Sequence, residues 1–216
     1  MQSKVVSNFA YSDSQRDQTP NPAFEQTLYE RCSTQTLCVT EHATPAEAAM
    51  SCLGVHFALT AEDASALEAL EDEQERLAFL QEELEERYLA EPKTYAAESD
   101  KSWDAMHRTL SDGQLSWDGG SFPLNHVVLG GKLLYSEDDY IMSLKTTEQV
   151  QAISAALESL TEVQFRERYD RIDEQSYDGE VGGEDFEYTW SWFQGVRSLY
   201  KRAAAEGRVV LFTADQ

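Results

Sequence analysis

The spacing of hydrophobic residues changes along this chain from period two to period 3.6 and back, and each change predicts an element. Gly54-Val-His-Phe-Ala-Leu59 alternates as a strand does, with Val55, Phe57 and Leu59 on one face and Gly54, His56 and Ala58 on the other. Thr60-Ala-Glu-Asp63 follows, a hydroxyl and a carboxylate spaced to satisfy the unpaired N–H groups of a helix start. The acidic helical segment behind it carries Leu77, Leu80, Leu84 and Tyr88 as its buried stripe, with Glu82, Glu83, Glu85 and Glu86 on its other faces, and Pro92 closes it. A further helix is predicted from Asp100 to Leu110. There Trp103, Met106, His107 and Leu110 fall at i, i+3, i+4 and i+7 on one inward face, while Asp100, Asp104 and Arg108 take the solvent side.

Residues 111–123 are rich in turn residues, and a short apolar element from Leu124 to Leu129 ends at Gly130-Gly131. Tyr140 to Leu144 reads as a strand. Thr146-x-x-Gln149 and Thr161-x-x-Gln164 each open a helix, the first burying Val150, Ile153, Leu157 and Leu160, the second Phe165, Tyr169 and Ile172. An acidic loop over 173–185 leads to a last helix with Trp192, Val196, Leu199, Tyr200 and Ala203 along one side, Gly207 at its C-cap and a closing strand over 208–213. These elements predict an α+β fold: a small mixed or antiparallel sheet of about three short strands, near 52–59, 140–144 and 208–213, covered by several helices mostly on one side.

Residues 1–49 have no sustained period and hold Pro20, Pro22 and Pro45, so they read as a poorly ordered N-terminal extension, with the folded domain over 50–216 beginning at Met50. The 216 residues, 41% hydrophobic, suffice for one domain with a sizeable core. The absence of a long apolar run and of a secretory leader leads to an expectation of a cytoplasmic, non-membrane protein. Cys32, Cys38 and Cys52 are too few and too unevenly spaced for an oxidised scaffold or a zinc site. The charge changes the picture most. Forty acidic residues against seventeen basic ones give −23, a field that repels nucleic acid and anionic membrane and attracts basic proteins. Solubility, or life in a salty cytoplasm, would account for the same excess.

Several of these features occur together in one order: a first strand of the form Met-x-x-x-Gly-x-x-Phe, the Lys101-x-Trp103-x-x-x-His107 helix, Gly130-Gly131, a strand leading into Thr-x-Glu-x-Val, and an aromatic-rich helix running into Val-Val-Leu. In that order the chain resembles the bacterial YfbM-like family, a domain of unknown function, over roughly Met50 to Asp215. The resemblance implies an α+β fold and a bacterial cytoplasmic protein, and brings no activity with it. Two stretches depart from it: Glu137-Asp-Asp-Tyr140 stands where a Gly- and Arg-containing turn is expected, and the loop at 173–185 is longer.

His107 is the strongest candidate for chemistry, with Trp103 as a stacking wall, Lys101 as an anion anchor at the helix start, and His126 or Tyr140 across a pocket. The competing reading places His107 and Trp103 in the core, since a lone histidine without an orienting carboxylate rarely makes a catalytic constellation. His56 reads as a surface histidine. No nucleophile elbow, phosphate loop or EF-hand spacing occurs, and neither a metal nor a cofactor is expected. Trp190, read as exposed beside Asp178, Glu180, Glu184 and Asp185, would make a hot spot for a basic partner. The leading expectation is therefore a non-enzymatic acidic protein that masks or neutralises a basic protein, in the manner of an immunity protein or antagonist. The alternative is a small-ligand module or enzyme built on the Lys101/Trp103/His107 helix. Enzymatic activity and oligomeric state are left open by the sequence.

Overall fold

A computed structural model describes residues 53–135 and 139–215. Five strands form one sheet in the order β2-β1-β5-β4-β3: β1 Gly54–Leu59, β2 Ala96–Asp100, β3 Lys132–Tyr135, β4 Tyr140–Lys145 and β5 Val209–Asp215. Every neighbouring pair is antiparallel. The α+β expectation holds, with five strands in place of about three. The two unexpected strands are the edges. Strand β2 reads Ala-Ala-Glu-Ser-Asp, without a β-branched or aromatic residue, and acquires its conformation from pairing with β1 (His56 opposite Ala97, Phe57 opposite Ala96). Strand β3 is only four residues long, too short to show a period.

Helices cover both faces of the sheet, not mainly one. On the first face lie α1 (Ala61–Ala69), α2 (Glu73–Phe79), a π-helical turn (Leu80–Glu85) and α3 (Glu86–Leu89). Leu67, Leu80, Leu84 and Tyr88 from this layer pack on Phe57, Leu59, Met142, Leu144 and Leu211. The second face is covered by α4 (Trp103–Leu110), α5 (Thr147–Ser159), α6 (Glu162–Tyr169) and α7 (Gly183–Glu206), over Ala58, Ile141, Val210, Phe212 and Ala214. The strict alternation of strand side chains lets β4 and β5 serve both cores at once.

The local signals do what their chemistry requires. Thr60 Oγ1 accepts from the Asp63 backbone N–H at 3.1 Å, and Thr146 and Thr161 each form a full capping box with Gln149 and Gln164. Gly207 ends α7 in the left-handed conformation at φ 67°, which a glycine adopts without strain.

The helix expected from Asp100 begins later, at Trp103, because Asp100 completes β2 and turns the chain at φ 48°. That helix has no wet side. Asp104 and Arg108 are buried together with Trp103 and His107, because the segment around Ser176 and Tyr177 folds across it.

Candidate functional site

Helix α4 is enclosed along its whole length, with all eight residues buried. Trp103 and His107 are each 1% exposed, so they lie in the core rather than on a cavity wall. The His107 Nε2–H donates to the Ser116 carbonyl at 2.7 Å, which makes Nδ1 the unprotonated nitrogen, and Nδ1 has no partner. Burial, reinforced by Arg108 and Lys145, holds this imidazole neutral, with its pKa pushed down to about 4. Lys101 is exposed at the turn before the helix.

Of the other residues predicted to share a pocket with His107, Tyr140 lies on the opposite face of the sheet. Its hydroxyl donates to Glu85 Oε1 at 3.0 Å and its ring meets Tyr135 edge-on, so the sheet itself separates it from Trp103 and His107. His126 is half-buried at the end of a 3-10 turn (Leu124–His126), next to Asn125 Oδ1 at 2.9 Å and edge-on to Phe122. His56 is fully buried, not at the surface. Its Nε2–H donates to the Val127 carbonyl at 3.1 Å, and the ring tilts against Phe212 with 4.8 Å between centroids. Burial and the proximity of Lys145 push its pKa down to about 3.

Sequence reasoning missed Lys145. This lysine is fully buried on the same face as His56, where its Nζ donates to the Val128 carbonyl at 2.5 Å, the Ser143 carbonyl at 3.2 Å and Ser143 Oγ at 2.6 Å. Ser143 in turn donates to the Gly130 carbonyl, and Tyr200 donates to the Val127 carbonyl at 2.8 Å. The amine thus stands among carbonyl oxygens, and burial drives its pKa well below the usual lysine range. The only visible signal is a lysine at the end of an otherwise apolar strand, Tyr-Ile-Met-Ser-Leu-Lys145. The Lys145 cluster ties the Val127–Gly131 segment to β4. Gly131 has φ 80° and a Cβ there would stand 2.5 Å from the Leu144 carbonyl oxygen, so the segment runs directly against the strand.

Two surface features lie outside this core. A cleft of about 550 Å³ opens beyond the C-terminal end of α4, between the Ser111–Gly113 and Gly120–Leu124 turns, with Arg108, Arg168 and Arg171 in its wall. A second hollow of about 490 Å³ shares Pro123, Leu124, Arg168 and Arg171 with it and continues along α5 and α6. The other feature is acidic. Between Ala61 and Glu91 the layer of α1, α2, the π-turn and α3 carries twelve carboxylates and only two basic residues, Arg76 and Arg87. Both are used internally. Arg76 donates to the Leu67, Leu70 and Leu134 carbonyls, and Arg87 pairs with Asp63 at 2.9 Å.

Asp178, Glu180 and Glu184 are exposed, whereas Asp185 accepts hydrogen bonds from the hydroxyls of Tyr169 at 2.5 Å and Tyr177 at 3.1 Å. Trp190 is not the exposed indole expected. It is half-buried, stacked against Phe186 and packed on Phe165 and Phe193, because α6 lies across that side of α7. No group of three or more His, Cys, Asp or Glu placed to hold a metal ion occurs among the described residues, and no helix among them is long and apolar enough to cross a membrane.

A five-stranded antiparallel sheet with helices on both faces, one of them buried along its whole length, defines a small α+β protein. The chain belongs to the family described as Domain of unknown function (DUF1877), whose pattern matches residues 50–213. Its fold is similar to that of the crystal structure of YfbM from Escherichia coli, a protein of unknown function. The likeness is at 20% identity and TM-score 0.53, covering 75% of this chain and 99% of that one. No curated protein matches the chain.

Proposed function

We propose that this chain is a non-enzymatic acidic binding protein that engages a basic protein partner and masks its charge. The observation that carries this reading is the acidic layer on the first face of the sheet. Arg76 is occupied by backbone carbonyls, Arg87 by Asp63 and the neighbouring Lys132 by Glu68, which leaves the other outward carboxylates, among them Glu75, Glu82, Glu83 and Glu86, as a net negative field. Such a surface steers a cationic partner by long-range attraction and accelerates encounter more than it tightens the final complex. Asp178, Glu180 and Glu184 extend the same sign of charge on the other side of the molecule. The alternative of a ligand pocket on the Lys101/Trp103/His107 helix finds less support, since Trp103 and His107 are sealed into the core.

The test is a comparison of the wild-type chain with the quadruple variant Glu75→Gln, Glu82→Gln, Glu83→Gln, Glu86→Gln. Both are used to capture proteins from native lysate at low and at moderate salt. Capture of a defined basic protein by the wild type, weakened by salt and lost in the variant, is the expected result. Empty captures at both salt concentrations, or captures indifferent to the four substitutions, would overturn the proposal.

A further inference from the structure

We infer that the cleft between α4 and α6 binds a small organic dianion, a phosphoryl or dicarboxylate group attached to an apolar moiety, through Arg168 and Arg171. The inference starts from how the arginines of this acidic chain are used. Nine lie among the described residues. Seven donate to a carboxylate or to backbone carbonyls: Arg76 and Arg87 as above, Arg108 to Asp104 and Ser176, Arg166 to Asp170, Arg197 to the Glu158 carbonyl, Arg202 to the Thr94 carbonyl, and Arg208 to Glu206. Arg168 and Arg171 are the two whose guanidinium groups have no partner among the described residues. With carboxylates in such excess, an unpaired arginine is the exception, and both exceptions line the same cleft.

The geometry suits two negative charges on one group. Arg168 lies in the last turn of α6 and Arg171 in the turn just beyond its C-cap, where the Arg171 backbone N–H donates to the Arg168 carbonyl at 3.0 Å, and both side chains line the cleft. Each guanidinium offers a planar fork of donors that matches phosphate or carboxylate oxygens. Arg108 contributes a third positive charge deeper in the wall, largely neutralised by Asp104. Two carboxylates are also nearby: Asp112 lines the cleft, beside Gly119, and Glu167 lines the adjoining hollow. The net charge of the chain does not forbid anion binding here, because charges beyond about 8 Å are screened at physiological salt.

One side of the remaining wall is apolar, and the rest includes Thr109, Ser111 and Ser121. Phe122, Pro123 and Leu124 line the same cleft, and Phe122 is half-exposed, one of few large hydrophobic side chains left in solvent. Its ring is held edge-on by His126 at 5.1 Å, which fixes it without covering it. An aromatic plate beside two unpaired guanidinium groups fits a ligand with an anionic end and an apolar body.

The experiment follows the arginine Nε–Hε resonances of the full chain by NMR during titration with phenyl phosphate, phenylsuccinate and inorganic phosphate at constant ionic strength. Saturable shifts confined to Arg168 and Arg171, with phenyl phosphate or phenylsuccinate tighter than inorganic phosphate, are expected. The preference between the first two tells phosphoryl from dicarboxylate. The Arg168→Ala, Arg171→Ala double variant should lose at least tenfold in affinity, Phe122→Ala should remove the advantage of the phenyl group, and Arg197→Ala should change nothing. Shifts spread over all arginines, no saturation, or equal binding by the double variant would overturn the inference. Neither result depends on whether a basic protein binds the acidic layer.

Discussion

Lys145 Nζ donates to Ser143 Oγ at 2.6 Å, two residues back along the same strand, and neither residue reaches solvent. The pair turns one face of β4 into a polar clamp on Val127–Gly131. Lys145→Met keeps the length and apolar stem while removing all three donors. Leaving the Val128 carbonyl unpaired is expected to cost about 1–3 kcal/mol. Amide exchange over residues 127–131 should quicken more than exchange in α7, and equal quickening everywhere would count against a local clamp.

Stability should fall as the solution is acidified below pH 6.5. His56 and His107 have folded pKa values of about 3 and about 4, both below the ordinary 6.5, so the unfolded chain binds more protons between those values. The contribution of each is therefore complete above 6.5 and lost as pH falls towards the folded value. Near pH 5 the two histidines together correspond to close to two protons taken up on unfolding, a slope of about 2.7 kcal/mol per pH unit. His126, also pushed down by burial to about 4, adds in the same direction, so urea unfolding at pH 7, 6 and 5 measures the summed slope, and His107→Gln should reduce it by about a third.

The Asp104–Arg108 pair is buried along α4, and the guanidinium also donates to Ser176 Oγ at 2.9 Å and the Ser176 carbonyl at 2.7 Å. Asp104→Ala leaves that cation in the core without its counter-charge, for an expected loss of about 3–5 kcal/mol. Asp104→Asn, which retains a hydrogen-bond acceptor, should cost less. Denaturant titration of the two variants gives the comparison, and a cost near zero for Asp104→Ala would mean that Arg108 relaxes into water.

Gly54 is where β1 meets the Trp103 helix. A Cβ there would stand 2.6 Å from Ser99 Oγ and within 3 Å of two Trp103 side-chain atoms. Gly54→Ala is expected to destabilise the chain by about 1–3 kcal/mol through overpacking. A change in the fluorescence of buried Trp103 should accompany it, and an unaltered spectrum with unaltered stability would show that α4 can move away freely.

Much of the fold was legible in local spacing. Thr146-x-x-Gln149 and Thr161-x-x-Gln164 specify their helix starts through atoms only three residues apart, and Leu80, Leu84 and Tyr88 declare a buried stripe by period alone. What escaped was set by distant neighbours. Asp104 and Arg108 look like a wet helix face until Ser176, 68 residues beyond Arg108, folds over them. Trp190 looks exposed until Phe165 of α6 is laid against it. Arg168 and Arg171 resemble Arg166 in sequence, and only the positions of the Gly120–Leu124 turn and α4 make them the wall of a cleft.

The sequence by itself determined the capped helix starts at Thr60, Thr146 and Thr161, the central strands, most inward stripes and the excess of negative charge, because each depends on composition or on residues within one or two turns of one another. Tertiary structure alone decided which charges are paired, which histidines are stripped of their proton, and which arginines are left facing a cleft. Those depend on desolvation and on partners far away in the chain, and a charge read in sequence carries no record of the dielectric it will meet after folding.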